Sequence, residues 1–144
     1  MTRFLFGDLL WKEIAKQAKK AHRTKAAIAY VTKASPLALK NGDVFVVDAS
    51  DGAIASGQTS AAVLSSFLKK GVSLYSHDGL HAKAIVADSV LFSSSANLSD
   101  SSISRLLEAG IETDNPNTVS GAVGMIEKLI ETSATIDPVF IRQD

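Results

Sequence analysis

The sequence contains no cysteine, only three prolines and no long run of hydrophobic residues. Without cysteine there can be no disulfide, no thiolate nucleophile and no cysteine-ligated zinc or iron–sulfur site. The longest early apolar run, residues 4–6, is followed by Gly7 and Asp8, so it is too short for a signal peptide or a membrane span. We therefore expect a cytoplasmic protein without a membrane span.

The chain also lacks an excess of charge of either sign, because 15 basic and 15 acidic side chains balance over 144 residues. This balance argues against a strongly basic chromatin protein. A hydrophobic content of 46% argues against a disordered tail. A chain of this length can bury one core, so we expect residues 1–144 to form a single domain.

Hydrophobic periodicity predicts strands that alternate with helices. Helices are predicted at 8–21, 59–71, 99–106 and from about 117 onward, the first with Asp8 as its N-cap. Strands are predicted at 26–32, 44–47, 72–75, 80–87, 90–93 and 107–113, with a flexible loop at 50–58. The pattern predicts an α/β fold with a mixed central β-sheet and helices on both of its faces.

The segment most informative about function is the predicted strand at 80–87, which carries polar residues among apolar ones. His81, Lys83 and Asp88 form the pattern H-x-K-x4-D, of which this composition predicts roughly 0.016 chance copies. Residues two apart on a strand share a face, so His81 and Lys83 point the same way. Burying both without partners would be costly, so we expect partners nearby.

The following strand ends in Ser-Ser-Ser-Ala-Asn at 93–97, which supplies such partners. We expect a hairpin in which residues 88–90 form a three-residue loop. The expected pairs are Ala87 with Leu91, Lys83 with Ser95, and His81 with Asn97. A two-residue turn would instead place Ser95 and Asn97 on the opposite face.

These residue types fit attack on a phosphodiester. A neutral imidazole is a nucleophile or a general base near neutral pH, and lysine, serine and asparagine donate hydrogen bonds to anions. The transition state spreads charge over the non-bridging phosphate oxygens, where such donors stabilise it. No cluster of carboxylates is needed, so we expect neither a metal nor another cofactor.

The motif and the two segments after it resemble the phospholipase D superfamily, especially its single-motif members, the small bacterial nucleases and related restriction endonucleases. The resemblance covers about residues 26–113 and includes H-x-K-x4-D, Ser-Ala-Asn-Leu at 95–98, Leu-Glu-Ala-Gly at 107–110, and Ala29-Tyr30. Two departures stand out. Ser94 replaces the usual glycine, and the interval from Asp88 to Asn97 is one residue shorter than in the common pattern.

The resemblance implies a phospholipase D-like fold and a metal-independent phosphodiesterase, most simply a sequence-nonspecific nuclease. His81 would attack phosphorus to give a phosphohistidine, and a second histidine would protonate the leaving oxygen. The other roles it implies are phosphate binding by Lys83, Ser95 and Asn97, orientation of the imidazole by Glu108, and organisation of the turn by Asp88.

Two expectations concern partners. Only one His-x-Lys occurs, whereas the implied chemistry needs two histidines, so we expect a homodimer with His81 beside its two-fold axis. A basic stripe on the first predicted helix is either a solvated face or a contact surface for nucleic acid phosphates; it comprises Lys12, Lys16, Lys19 and Arg23. A separate recognition domain or subunit would supply any sequence specificity.

Other interpretations remain open. The chain could be a catalytically degenerate phospholipase D-like binding or dimerisation module. It could also be a phospholipid phosphodiesterase, but that needs an interfacial aromatic surface, and the nine aromatic residues are mostly at core-like positions. A metal site at His77, Asp78 and His81 is disfavoured, because His-x3-His in a strand and turn points the two rings apart. Asp48 and Asp51-Gly52 are interpreted as an ordinary polar turn.

Overall fold

The structure is a computed structural model that describes residues 1–142. Its strands are β1 (Thr2–Phe6), β2 (Thr24–Ile28), β3 (Val44–Val47), β4 (Ser73–Ser76), β5 (Lys83–Ala87), β6 (Val90–Ser94), β7 (Ala109–Thr113) and β8 (Ala134–Ile136). Its helices are α1 (Asp8–Lys20), α2 (Asp51–Ala55), α3 (Ala61–Lys69), α4 (Pro116–Glu131) and α5 (Pro138–Arg142), with a π-helix at Ser101–Arg105. None of these helices is long and apolar enough to cross a bilayer.

The strands form one sheet in the order β1-β7-β6-β5-β2-β3-β4-β8. β2, β3 and β4 are parallel, whereas β5, β6, β7 and β1 continue the sheet in antiparallel fashion. The carboxyl ends of β1, β2, β3 and β6 therefore lie at the same end as the beginnings of β5 and β7. We call this the site end of the sheet, because the H-x-K motif lies there.

Helices cover both faces of the sheet, which confirms the predicted fold class. On one face, the apolar residues of α1 and α3 pack onto the sheet; they include Leu10, Ile14, Leu64 and Phe67. On the other face, Val119 and Ile126 of α4 pack over the centre of the sheet. Fully burying one such side chain stabilises the fold by about 1.5–3 kcal/mol, so the two layers fix the sheet firmly.

The predicted register of the β5–β6 hairpin is wrong by one residue. Ala87 pairs with Val90, so the turn has two residues, Asp88 and Ser89. Burial explains the difference, because the observed register sets Ile85 opposite Phe92 in the core, whereas a three-residue loop would have set it opposite a serine. In this register the residue that would face Lys83 is therefore Ser94, not Ser95.

Several short elements differ from the prediction. β1 was not predicted, the loop at 50–58 contains α2, and β8 and α5 follow α4. Gly7, not Asp8, is the N-cap of α1, and no side chain caps the helix there. The predicted strands at 80–87 and 107–113 begin later, at Lys83 and Ala109, so that His81 and Glu108 lie just outside the ladder.

Candidate active site

Four of the predicted site residues come together at the site end from three segments of the chain. Lys83 begins β5, Ser95 and Asn97 follow β6, and Glu108 directly precedes β7. Because β5, β6 and β7 are neighbours in the sheet, the ends of these strands bring their side chains within reach of one another.

Ser95 and Glu108 are joined directly. The Ser95 hydroxyl donates to Oε1 of Glu108 at 2.8 Å and accepts from the Ala109 amide at 3.1 Å. The Ser95 amide also donates to the Ala109 carbonyl at 3.0 Å. These bonds continue the contact between β6 and β7 beyond the ladder, and they hold the Glu108 carboxylate in one place.

Gly110 allows this close approach of β6 and β7. A Cβ atom at Gly110 would lie 2.5 Å from the Ser93 carbonyl oxygen and 2.5 Å from the Ser94 Cβ. Ser94 faces Gly110 in the ladder, and its hydroxyl accepts from the Ala96 amide at 3.1 Å. The glycine of the Leu-Glu-Ala-Gly segment is thus needed for packing, and the serine at 94 is accommodated beside it.

Lys83 is partly buried at the start of β5. Its ammonium donates to the His81 carbonyl at 2.9 Å. Burial lowers the pKa of Lys83, and the nearby Glu108 carboxylate opposes that shift by raising it. The positive charge therefore lies beside the backbone of His81, within the electrostatic range of Glu108.

The orientation of Asn97 is set by two groups that were not predicted to contribute. The Tyr30 amide donates to the Asn97 Oδ1 at 3.3 Å, and the Asn97 amide donates to the Ser102 hydroxyl at 3.1 Å. Since Oδ1 already accepts from Tyr30, the Nδ2 group remains for a ligand. The sequence resemblance at Ala29-Tyr30 could have indicated a role for Tyr30. Nothing in the sequence distinguished Ser102 from the other serines around it.

His81 is exposed and lies two residues before β5. Both other histidines of the chain lie elsewhere. The His22 Nδ1 is 3.6 Å from the carboxylate of Asp88, which follows the far end of β5. Because a five-residue strand spans about 16 Å, this contact is distant from the start of β5. The His77 Nδ1 is 3.4 Å from the hydroxyl of Ser133, next to the edge strand β8. Of the three histidines, His81 is the one whose carbonyl contacts the Lys83 ammonium.

Asp88 lies in the hairpin turn, away from the site. Its carboxylate accepts from the amides of His22 and Arg23, each at 3.0 Å. These bonds, led by that from Arg23, hold the pKa of Asp88 below its ordinary value.

The predicted basic stripe is shorter than expected. Lys12, Lys16 and Lys19 are exposed on α1, but α1 ends at Lys20, so Arg23 lies outside it and donates to the His22 carbonyl at 3.1 Å. The Gly7 amide donates to the Glu108 carbonyl at 2.9 Å, which places the start of α1 at the site end. The three lysines thus lead away from the site.

The two weak metal patterns lie at His77–His81 and at Asp48–Gly52. Within residues 1–142, no three histidine or carboxylate side chains are grouped so that they could hold a metal ion. Asp48 is instead buried, and its carboxylate accepts hydrogen bonds from backbone amides.

Comparison with known proteins agrees with this geometry. The family described as "Cardiolipin synthase, PLD-like domain" matches residues 2–130. The chain belongs to the phospholipase D superfamily. This confirms the resemblance inferred from the motif, although no curated protein matched the sequence.

Solved structures of the phospholipase D-like fold are similar over nearly the whole chain. NucT from Helicobacter pylori has a TM-score of 0.71 at 17% identity, covering 94% of this chain and 100% of that one. Nuc from Salmonella typhimurium, a phospholipase D family member, has a TM-score of 0.74 at 13% identity, covering 94% and 99%. Phosphatidylserine synthase from Haemophilus influenzae has a TM-score of 0.71 at 13% identity, covering 94% and 40%. At these identities, the similarity establishes the fold.

Proposed function

We propose that this phospholipase D-like chain hydrolyses phosphodiester bonds through a phosphohistidine, without a metal, and that its substrate is nucleic acid of any sequence. The observation that carries the proposal is the convergence of Lys83, Asn97 and the Ser95–Glu108 pair beside the exposed His81 at one end of the sheet.

In the proposed reaction, a ring nitrogen of His81 attacks phosphorus, forming a P–N bond as the P–O bond to the leaving group breaks. A second imidazole donates a proton to the leaving oxygen and then accepts one from water, which attacks phosphorus and breaks the P–N bond. Lys83 and Asn97 donate to the non-bridging oxygens, and Glu108 orients the imidazole. The Ser95 hydroxyl donates to Glu108, so in this mechanism Ser95 holds that carboxylate and not the phosphate. Each donor aimed at the non-bridging oxygens is worth about 10²-fold in rate.

In this proposal the second imidazole comes from outside this chain, because the His22 ring contacts Asp88 at the far end of β5 and the His77 ring contacts Ser133 beside β8. We propose that a second copy supplies it across a two-fold axis. An apolar patch beside the site supports this arrangement. It consists of Phe4, Phe6, Leu107 and Ile111, which are 65%, 61%, 79% and 39% exposed.

The apolar patch reaches the site end of the sheet. Phe6 pairs with Ala109, the residue after Glu108, and Phe4 pairs with Ile111. The two phenyl rings are 6.5 Å apart, on a part of the sheet next to the strands that α4 covers. A patch of this kind normally marks an interaction surface. Burying it against a second copy would bring two sites together.

Nucleic acid is the proposed substrate because the lysines of α1 begin near the site and run along the helix. Lys12 and Lys19 are about 10 Å apart along the helix axis, so they could contact successive phosphates without reading bases. Recognition of a particular sequence would need a separate domain or subunit. The cytoplasmic location stays a prediction.

The proposal is tested by hydrolysis of bis(p-nitrophenyl) phosphate and of DNA in excess chelator. Wild-type protein should be active, and His81→Ala should lose turnover because the nucleophile is gone. His22→Ala is the matched control, since it removes an exposed histidine at the far end of β5 and should keep full activity. Activity that disappears in chelator, or that survives His81→Ala, would contradict the mechanism.

The dimer is tested by mixing wild-type and His81→Ala chains during refolding. If each site needs two copies of His81, an equal mixture should retain about a quarter of the wild-type activity, rather than about half as for independent chains. Sedimentation should show a dimer that Phe4→Glu with Phe6→Glu dissociates, whereas Val139→Glu, on the 52% exposed Val139 of α5, should not dissociate it. A fully active monomer would refute the shared site.

A phospholipid headgroup is the second candidate substrate, and the apolar patch favours it too. The aromatic residues were expected mostly at core-like positions, yet Phe4 and Phe6 are exposed beside the site. Hydrolysis of phosphatidylglycerol vesicles but not of DNA would select this substrate. A stable dimer that hydrolyses neither would indicate the degenerate module.

A further inference from the structure

A buried carboxylate with no part in the proposed chemistry lies behind the segment that carries His81. Asp48 directly follows β3 and is 5% exposed. Its Oδ1 accepts from the Ser50 amide at 3.0 Å, and its Oδ2 accepts from the Gly79 amide at 3.3 Å. One carboxylate therefore joins the loop after β3 to the loop before β5.

The bond to Gly79 holds the middle of a tight turn. The Leu80 amide donates to the His77 carbonyl at 3.1 Å, which closes the turn. Gly79 has a φ of +83°, a conformation that glycine adopts without strain. Leu80 is 5% exposed and packs in the core under α4. The turn at 77–80 is thus fixed immediately before His81.

Asp48 is also connected to the other side of His81, through Ala29, which directly follows β2. The Asp48 amide donates to the Ala29 carbonyl at 2.8 Å, and the Ala29 amide donates to the Ala82 carbonyl at 3.1 Å. His81 lies outside the β5 ladder. Its place therefore depends on these bonds on either side of it.

We propose that Asp48 is a positioning residue for His81: its carboxylate holds the turn at 77–80 so that the imidazole stays aimed at phosphorus. The inference rests on the proposed function. Displacing a reacting group by about 1 Å can cost about 10²-fold in rate. Loss of the carboxylate should therefore lower kcat and leave KM nearly unchanged, because the phosphate-binding groups of Lys83 and Asn97 stay in place.

The test compares Asp48→Ala and Asp48→Asn with a control at the same junction. Thr59 is 1% exposed and donates to the Asp48 carbonyl at 2.7 Å. Thr59→Val therefore removes a buried hydrogen bond to Asp48 without touching its carboxylate. We expect kcat to fall about 10- to 100-fold in Asp48→Ala, with KM within about two-fold. In Asp48→Asn, which keeps one acceptor oxygen, much of kcat should return. Thr59→Val should lower the melting temperature and keep kcat.

Amide hydrogen exchange at Gly79, measured by NMR, separates this inference from the proposed function. Exchange should be slow in the wild-type protein and in Thr59→Val, and fast in Asp48→Ala. An inactive wild-type protein with a slowly exchanging Gly79 would refute the proposed function but leave the tether intact. Equal loss of kcat in Asp48→Ala and Thr59→Val, or full kcat with fast exchange, would overturn the positioning role. If Asp48→Ala fails to fold, Asp48→Asn is judged by the same two readouts.

Discussion

The two ends of the β5–β6 hairpin hold charged groups in contrasting ways. At the turn, backbone amides of His22 and Arg23 surround the Asp88 carboxylate. At the site end, the Lys83 ammonium has one carbonyl contact and a carboxylate in range, and burial lowers its pKa. A charge saturated by fixed backbone donors serves the fold. A partly desolvated charge at a strand end is available for a ligand. Keeping this charge without a full set of partners lowers the stability of the fold.

Of the substitutions that test this comparison, removal of the Lys83 charge should have the largest effect on activity and stability. Lys83→Met should lower kcat/KM by about 10²-fold or more and should raise the melting temperature at neutral pH. Because the folded-state pKa of Lys83 is lowered, the stability of the wild-type protein relative to the variant should increase as the pH rises toward about 10.4, the ordinary lysine value. Thermal melts at pH 7 and pH 10, with kinetics at pH 7, measure both effects. A variant that is less stable and fully active would reverse the comparison.

A substitution at Gly110 should disturb the site end through packing. The added Cβ of Gly110→Ala would press on the Ser93 carbonyl, so β6 and β7 must separate, at a cost of about 1–3 kcal/mol. Chemical denaturation measures this loss. Gly121→Ala is the matched control, because a Cβ there meets nothing within 4 Å. Equal stability of the two variants would mean that the close approach is not required.

The smallest effect is expected at the turn. Asp88→Asn keeps an acceptor oxygen but loses the charge that the backbone amides stabilise, so its melting temperature should fall by a few degrees at pH 7. The folded-state pKa of Asp88 lies below the ordinary value of about 3.9. Its contribution is therefore complete above that pH and is lost as the pH falls through the folded-state pKa. Melts from pH 7 to pH 2 should show the two proteins converge, with activity at pH 7 unchanged.

The sequence predicted the mixed sheet with helices on both faces, and it singled out Lys83, Ser95, Asn97 and Glu108, which the structure groups at the site end. It was less informative about register. Ile85 and Phe92 are both apolar, and matching them would have selected the two-residue turn. The serines at 93–95 obscured this choice, because each could follow the ladder. β1 was missed since its partner β7 is more than 100 residues away, and its alternation of Phe4 and Phe6 with buried Leu5 is only three residues long. No sequence pattern predicts the hydrogen bond between the Asp48 carboxylate and the Gly79 amide.

The long separation between β1 and β7 has a consequence for the order of folding. The β5–β6 hairpin closes through a two-residue turn, whereas Thr2 of β1 pairs with Thr113 of β7. Local contacts form faster than distant ones, since closing a long loop costs more entropy. We expect the hairpin to bring Lys83 and Ser94 together before β7 brings in Glu108, so an incompletely folded chain would hold Lys83 without the neighbouring Glu108 carboxylate.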